Sequence, residues 1–438
     1  MDKKNALRIP KSEYPRLVII GGGFAGIQLA KKLANTNIQV VLFDRNNYHT
    51  FQPLLYQVAT AGLEPDAIAG PLRQLLEHSK NIFFRMGHVN EIEPTLNTIF
   101  TSIGNMSYDY LVIASGSKTN YFGDPDKFKL AFPLKQIPQA LDLRSHILQN
   151  FEEAVLSSDQ DDLEKLLNIV IVGGGPTGVE LSGALGELKK HVLPKDYPDL
   201  DLDNMNIYLV EGTGRLLGGM SDFADQRAQK YLKKFDVKVK LNTTVESFDG
   251  EYVAFSNSEK LHSNTLVWAA GVTGNVIQGI QDSSINRNRY KVNQCNKIDG
   301  YENIYAIGDI AIMETEEHTK GHPMLAPVAM QQGEHLAKNI LLSLQNKPMK
   351  PFKYSDKGSM ATVGRNKAVV DLPKNLHFGG FLAWFVWMFV HLISIIGFRS
   401  KLVVLTNWIW NYFTYDRGTR LIIRPFKMAQ FAKDKKPN

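Results

Sequence analysis

Two glycine clusters in the chain have the residue types and spacing to hold a pyrophosphate. Gly21-Gly22-Gly23-Phe24-Ala25-Gly26 follows an apolar run at residues 17–20 and precedes a helical stretch through Ala34. A second apolar run, residues 40–43, ends at Asp44, 23 residues beyond Gly21. Each residue type has a physical task. Gly21 permits the tight turn, Gly23 lets backbone approach a pyrophosphate, and Gly26 lets helix and strand pack closely. The helix start presents free N–H groups to phosphate oxygens, and Asp44 accepts from a ribose 2′-OH. The pattern repeats. Residues 169–172 lead into Gly173-Gly174-Gly175-Pro176-Thr177-Gly178, and residues 207–210 end at Glu211, 38 residues beyond Gly173. The excess falls in the polar segment 189–205, which reads as an extended helix end and loop. Two complete strand–glycine–helix–strand–acid units predict two bound dinucleotides. Glu211 favours NADH, because a carboxylate there repels a 2′-phosphate; Arg215 stands close enough to soften that preference.

The elements that must position these residues follow from the rest of the chain. Residues 108–116, ending Ala114-Ser115-Gly116, read as a strand closed by small residues. Residues 265–271, ending Ala269-Ala270-Gly271, repeat that form, and residues 303–309 end in Gly308-Asp309. The predicted fold is α/β, with two Rossmann-like dinucleotide-binding domains, the second inserted in the first, and a C-terminal amphipathic helical region. The expected boundaries are an N-terminal segment at 1–16, a first part of one dinucleotide-binding domain at 17–125, a second dinucleotide-binding domain at 126–300 with its core at 168–275, the remaining part of the first at 301–350, and a C-terminal region at 351–438.

Composition narrows the class. The chain has 438 residues, 44% hydrophobic and 21% charged, which is globular and long enough for several domains. Its one cysteine, Cys295, excludes a disulfide framework, a cysteine zinc site, a thiolate-held iron–sulfur cluster and a redox CxxC pair, and no metal is expected. Cys295 itself reads as a non-catalytic thiol. Residues 1–16 mix both charges and hold no signal-like apolar run. The net charge is +6, but nine bases and two acids lie between Arg399 and Asn438. The tail therefore carries +7 and the remaining body −1, so the charge points to an anionic membrane surface and not to nucleic acid.

The motif set over residues 17–311 resembles the two-dinucleotide-binding-domain flavoprotein oxidoreductases. Residues 47–59 (NYHTFQPLLYQVA), 119–123 (TNYFG) and 269–272 (AAGV) extend the resemblance, over nearly the whole chain, to the type II NADH dehydrogenases, the single-subunit NADH:quinone oxidoreductases that do not pump protons. The resemblance implies FAD for the first domain (17–125 and 301–350), NADH for the second (126–300) and membrane attachment for the C-terminal region (351–438). It implies FAD held by Gly21, Gly23, Phe24, Ala25, Gly26, Asp44, Gln52, Ala114, Gly116 and Asp309. It implies NADH at Gly173, Gly175, Pro176, Thr177, Gly178, Glu211, Ala270 and Gly271. Glu180 matches a glutamate that the family places near flavin and nicotinamide. Residues 326–334 match the quinone-site helix, bringing Gln331 and Gln332. Pro327 stands where the family commonly has a glutamine.

Residues 378–397 hold no Asp, Glu, Lys or Arg, a run long enough to be a transmembrane candidate. A span would carry the basic tail to the far side of the membrane, against the positive-inside tendency. Two aromatic-rich helices lying in the interface, with bases on anionic headgroups, keep it on the near side; a soluble dimer interface is the other alternative. The expected function is a monotopic, membrane-attached FAD enzyme, on the cytoplasmic face of the bacterial inner membrane, passing electrons from NADH to quinone. A soluble NADH:ferredoxin or rubredoxin reductase and a membrane-tethered NADH-binding redox sensor are the alternatives.

Overall fold

The computed structural model describes residues 7–423. In chain order the elements that matter here are β1 (Arg16–Ile20), α1 (Phe24–Lys32), β2 (Gln39–Asp44), α2 (Leu55–Ala59), β3 (Ile82–Met86), β4 (Tyr110–Ile113), β5 (Phe132–Pro133), α3 (Ile137–Leu156), β6 (Asn168–Val172), α4 (Pro176–His191), β7 (Asn206–Val210), β8 (Val237–Lys240), β9 (Thr265–Trp268), β10 (Ile304–Ala306), α5 (Ala326–Ser343), β11 (Ser359–Gly364), β12 (Lys367–Leu372), β13 (Leu376–Gly380), α6 (Phe381–Ser394) and α7 (Phe398–Thr414). The chain divides into two compact units. The first comprises Met1–Thr50, Gly70–Lys118 and Val272–Asp356; the second comprises Phe51–Ala69, Thr119–Gly271 and Lys357–Asn438.

The first unit is built on a parallel sheet in the order β10-β4-β1-β2-β3. Its central strands are continuous Val, Ile and Leu runs because both faces are covered, and Leu17, Val18, Ile19, Val40 and Val41 are fully buried. One face packs Val18, Ile20, Val41, Phe43, Leu111 and Ile113 into a single core. Against α1 lies α5, seated so closely at Gly333 that a β-carbon there would stand 2.5 Å from the Ala25 carbonyl oxygen.

The second unit repeats the plan. Its parallel sheet runs β5-β9-β6-β7-β8, again with the glycine-motif strand in the middle. The long gap between Gly173 and Glu211 is filled as the sequence suggests. α4 continues to His191, a short helix covers Leu193–Asp196, and a turn at Leu202–Asn204 returns the chain to β7.

The C-terminal part of the second unit is an antiparallel sheet, β11-β12-β13, with α6 packed on it. The apolar run 378–397 is therefore not one helix. Its first three residues finish β13, because Val370 pairs with Phe378 and Ala368 with Gly380. Gly380 at φ +84° then starts α6, and Gly397 at φ +92° starts α7. At 1.5 Å per residue, the 14-residue α6 is about 21 Å long, short of the ~30 Å hydrocarbon core. Among the described residues no helix is long and apolar enough to cross a membrane.

Helix α4 meets β11 at Gly183, where a β-carbon would stand 1.9 Å from the Val363 carbonyl oxygen. Gly183→Ala is expected to destabilise the second unit by about 1–3 kcal/mol, the usual range for overpacking. Thermal and urea melts of the purified protein measure this.

Candidate functional site

The two glycine loops share one geometry, each within its own unit. Gly21 (φ +109°) and Gly173 (φ +110°) occupy backbone that L-residues avoid. A side chain at either would strike backbone, the Ala114 carbonyl oxygen at 2.2 Å or the Ala270 Cα at 2.6 Å. Beside these turns, at Gly23 and Gly175, a β-carbon would meet nothing within 4 Å. Both residues are the N-caps of their helices, α1 and α4, and neither helix has a side-chain cap or an acid in its first turn. Open space beside uncapped N–H groups is a cradle for an anion.

Each loop is tied to the acid at the end of its second strand. Gly22 N–H donates to Asp44 Oδ2 at 2.6 Å, and Gly174 N–H donates to Glu211 Oε2 at 2.7 Å. The second carboxylate oxygen accepts from the backbone two residues on, Asn46 N–H at 2.7 Å or Thr213 N–H at 2.8 Å. Burial pushes the Asp44 carboxyl above its ordinary value, and the two N–H donors pull it back. His49 adds a second clamp. Its Nδ1 lies 3.0 Å from the Gly22 carbonyl oxygen; a carbonyl only accepts, so Nδ1 carries the proton. The ring stands edge-on to Phe24 at 5.0 Å, and burial holds its pKa below the usual histidine value.

The other first-unit residues gather on the same sheet edge. Ala114 is buried, Gly116 has φ +67°, and Ser117 Oγ donates to Asp309 Oδ2 at 2.5 Å. Gln332, 1% exposed, accepts the Gly308 N–H at 2.7 Å and so ties α5 to the Gly-Asp turn. Gln331 faces elsewhere: its amide forms a reciprocal pair with the Ser355 backbone, 2.9 Å each way. Pro327 lies in the first turn of α5, where its missing N–H costs nothing. Cys295 bonds weakly to the Lys350 carbonyl oxygen at 3.6 Å, and burial raises its thiol.

In the second unit, Pro176 and Thr177 open α4 in exposed positions, while Ala270 and Gly271 (φ +111°) close the strand opposite. Arg215 gives one nitrogen to Asp222 Oδ1 at 2.7 Å and another to the Met220 carbonyl at 2.8 Å, which turns it away from the role of a second charge beside Glu211. Gln52 begins a 3-10 turn, Gln52–Leu54, directly before α2.

Glu180 lies one turn into α4, 7% exposed, among elements far away in sequence. Its Oε1 accepts the Thr362 N–H of β11 at 3.4 Å. Burial raises the carboxyl to about 8; Thr362 and the Trp387 indole oppose this more weakly. That indole N–H completes no hydrogen bond, so Thr362 is the firmer partner. Around it, Trp387 stacks on His391 at 4.2 Å, His391 stands edge-on to Phe51 at 6.0 Å, and Trp408 donates to Gln57 Oε1 at 2.9 Å, whose amide donates to the Tyr56 hydroxyl at 2.9 Å. The result is a neutral carboxyl in an aromatic enclosure, able to hold a proton at neutral pH. His49, Ser117, Tyr56 and Gln57 carry no assigned role in the sequence reading, although His49, Tyr56 and Gln57 stand inside the 47–59 segment.

Gly175→Val places its β-carbon in open space. The melting temperature is expected to hold, while affinity for a nicotinamide dinucleotide falls by at least about tenfold, 1.4 kcal/mol, in equilibrium titration.

Residues 15–333 match the family model for the pyridine nucleotide-disulphide oxidoreductases, and residues 357–415 match the NDH2 C-terminal domain. The chain is 34% identical over 428 residues to the type II NADH:quinone oxidoreductase Ndh of Mycobacterium tuberculosis, covering 93% of this chain and 91% of that one. It is 33% identical to a second such protein of that organism, NdhA, over 93% and 89% of the two chains. The NDH2 structure from Plasmodium falciparum in complex with NADH superposes with a TM-score of 0.86 at 20% identity, covering 94% of this chain and all of that one. The repeated nucleotide loops, the C-terminal sheet and helices, and these relatives together place the chain in the type II NADH dehydrogenase family, the single-subunit NADH:quinone oxidoreductases.

Proposed function

We propose that the chain binds FAD through its first glycine loop and NADH through its second, and passes two electrons from NADH to a membrane quinone without pumping protons. The observation that carries this reading is the pair of open cradles at Gly23 and Gly175, each beside an uncapped helix and a tethered strand-end acid. When bound, the flavin supplies the redox chemistry, taking a hydride equivalent from NADH and releasing electrons to the quinone. Gly23 and the start of α1 would hold its pyrophosphate, Asp44 its adenosine ribose, and Asp309, set by Ser117, its ribityl–pyrophosphate region. Glu211 would take the ribose of NADH, and Arg215, engaged by Asp222, leaves NADH preferred over NADPH.

Quinone reduction takes up two protons as well as two electrons. Glu180 is the group built to hold one, since its enclosure keeps the carboxyl neutral at pH 7. Gln332 supports the Gly-Asp turn. Gln331, held by Ser355, stands one residue earlier on α5.

Attachment would run through α6 and α7. Their outer faces expose Phe381, Leu382, Phe385, Phe389, Ile393, Trp410 and Phe413, the last 78% exposed. So large an apolar face on neighbouring helices suits the acyl–headgroup boundary, and it favours a quinone over a soluble ferredoxin-type acceptor. Of the tail's charges, Arg424, Lys427, Lys433, Lys435, Lys436 and Asp434 lie outside the described residues. A second copy of the chain could cover part of the same face. The cytoplasmic side of the inner membrane is the proposed location.

A yellow protein whose flavin bleaches with NADH and recovers with a short-chain quinone is the direct test; a purified protein without flavin overturns the reading. Phe385→Asp with Phe389→Asp is expected to shift the protein from vesicles to the supernatant in a flotation assay. Glu180→Gln has an expected pH signature. A carboxyl raised in the folded state binds more protons there than when unfolded, so wild-type stability falls as pH climbs from the ordinary 4.5 to about 8. The variant should therefore match wild type near the acid end of that window and exceed it above the alkaline end, as read by melting temperature.

A further inference from the structure

Arg417 belongs to the basic tail, where the sequence reads as headgroup-binding charge, yet its side chain is only 13% exposed. Nη1 donates to the Thr60 carbonyl oxygen, directly after α2, at 3.0 Å. Nη2 pairs with Glu187 Oε2 on α4 at 3.4 Å. Glu187 is itself 15% exposed, and its other oxygen accepts the Arg365 N–H at 2.5 Å. A guanidinium stays charged in any protein environment, so its burial is tolerable only where such partners surround it.

The neighbouring residues hold the same junction. Tyr415 ends α7 with φ +57°, an uncommon backbone for a tyrosine. Its ring is gripped on two sides, stacked on His191 at 4.1 Å and lying 3.4 Å from the Arg365 guanidinium. One turn on, Arg420 pairs with Asp196 at 2.6 Å and Asp416 at 3.2 Å. Two of the four described tail bases are thus spent inside the fold, and the chain after α7 is a clasp across the end of α4.

Glu187 lies seven residues beyond Glu180, two turns along the same face of α4. Burial raises the Tyr56 hydroxyl well above its ordinary value and Glu180 adds to this, with a smaller contribution from Glu187; the Gln57 hydrogen bond and Arg417 oppose them. Glu187 is paired with arginine; Glu180 is desolvated by burial, which raises its carboxyl. Tyr56 of α2 is within electrostatic reach of both, and its neighbour Gln57, whose amide donates to the Tyr56 hydroxyl, accepts the Trp408 indole N–H.

We propose that Arg417 is a positioning residue of the quinone half-reaction and not a membrane contact: by joining Thr60 to Glu187 it fixes α2 against α4, and so fixes Tyr56 and Gln57 relative to Glu180. The proposal rests on the NADH:quinone reading above.

The test compares the full-length holoenzyme with Arg417→Gln, Arg417→Lys and the double variant Arg417→Gln/Glu187→Gln. It measures NADH oxidation with a short-chain quinone, NADH oxidation with ferricyanide, and binding to phosphatidylcholine vesicles with and without phosphatidylglycerol over a range of salt. Arg417→Gln is expected to raise the quinone KM about tenfold or more, in keeping with small displacements of positioned groups, with ferricyanide rates and vesicle binding unchanged. Arg417→Lys, which keeps the charge but not the fork, should recover part of the loss. If Arg417→Gln does not fold, the double variant, which leaves no lone buried charge, carries the same expected KM change. An unchanged quinone KM, a parallel loss with ferricyanide, or a salt-dependent loss of binding to anionic vesicles alone overturns the proposal. Absence of quinone turnover in the wild type overturns the underlying reading instead.

Discussion

At Gly26 and Gly178, a β-carbon would stand 1.8 and 1.9 Å from the carbonyl oxygen of the glycine five residues earlier. That closeness is the constraint from which the rest follows. It brings the start of a helix onto the end of a strand so tightly that the intervening loop must turn at positive φ. The N–H groups at the start of the helix are left without a side-chain cap, beside open space at Gly23 or Gly175. Everything else in the two nucleotide loops secures that arrangement. Asp44 and Glu211 each hold the middle glycine's N–H from below, and in the first loop His49 also holds its carbonyl. The same solution stands twice in one chain because both strands sit at the centre of a parallel sheet, flanked on each side and buried on both faces.

Helix α4 carries this geometry from the nucleotide end to the C-terminal part of the second unit. Its first residues form the cradle. Its middle carries Glu180 and the close contact of Gly183 with β11, and its end carries Glu187. Two carboxyls of the same chemistry, two turns apart, are given different surroundings. Glu180 meets a single backbone N–H and aromatic rings, so desolvation wins. Glu187 meets the Arg417 guanidinium and the Arg365 backbone N–H instead. The contrast depends on the C-terminal residues, since β11, α6 and the turn after α7 supply nearly all of those neighbours.

The cradles were legible in the sequence because their parts are local: strand, turn, helix and acid fall within a few tens of residues, and each residue type is demanded by backbone sterics. The fold class was legible for the same reason. The enclosure of Glu180 was not, because Thr362 and Trp387 come from about two hundred residues away and have no signature of their own. The tail was legible only as composition. A base in a run of bases reads as solvated charge, and nothing near Arg417 in sequence shows that Glu187 and Thr60 lie within reach. The apolar run 378–397 read as one segment because hydropathy does not register strand pairing; the Gly379-Gly380 pair was the visible sign that it would break.

The aromatic helices have one more consequence. Of five tryptophans, four (Trp384, Trp387, Trp408 and Trp410) lie in α6 and α7, and Trp268 alone lies in β9. They differ in surroundings: Trp387 is 2% exposed, Trp408 is hydrogen-bonded to Gln57, and Trp410 is 60% exposed. The protein's ultraviolet emission is thus concentrated where it would touch lipid. It divides between one buried indole, Trp387, two half-buried ones, Trp384 and Trp408, and the exposed Trp410, whose colour changes with the medium. Were the proposed attachment to occur, Trp410 would report it optically, with no attached dye.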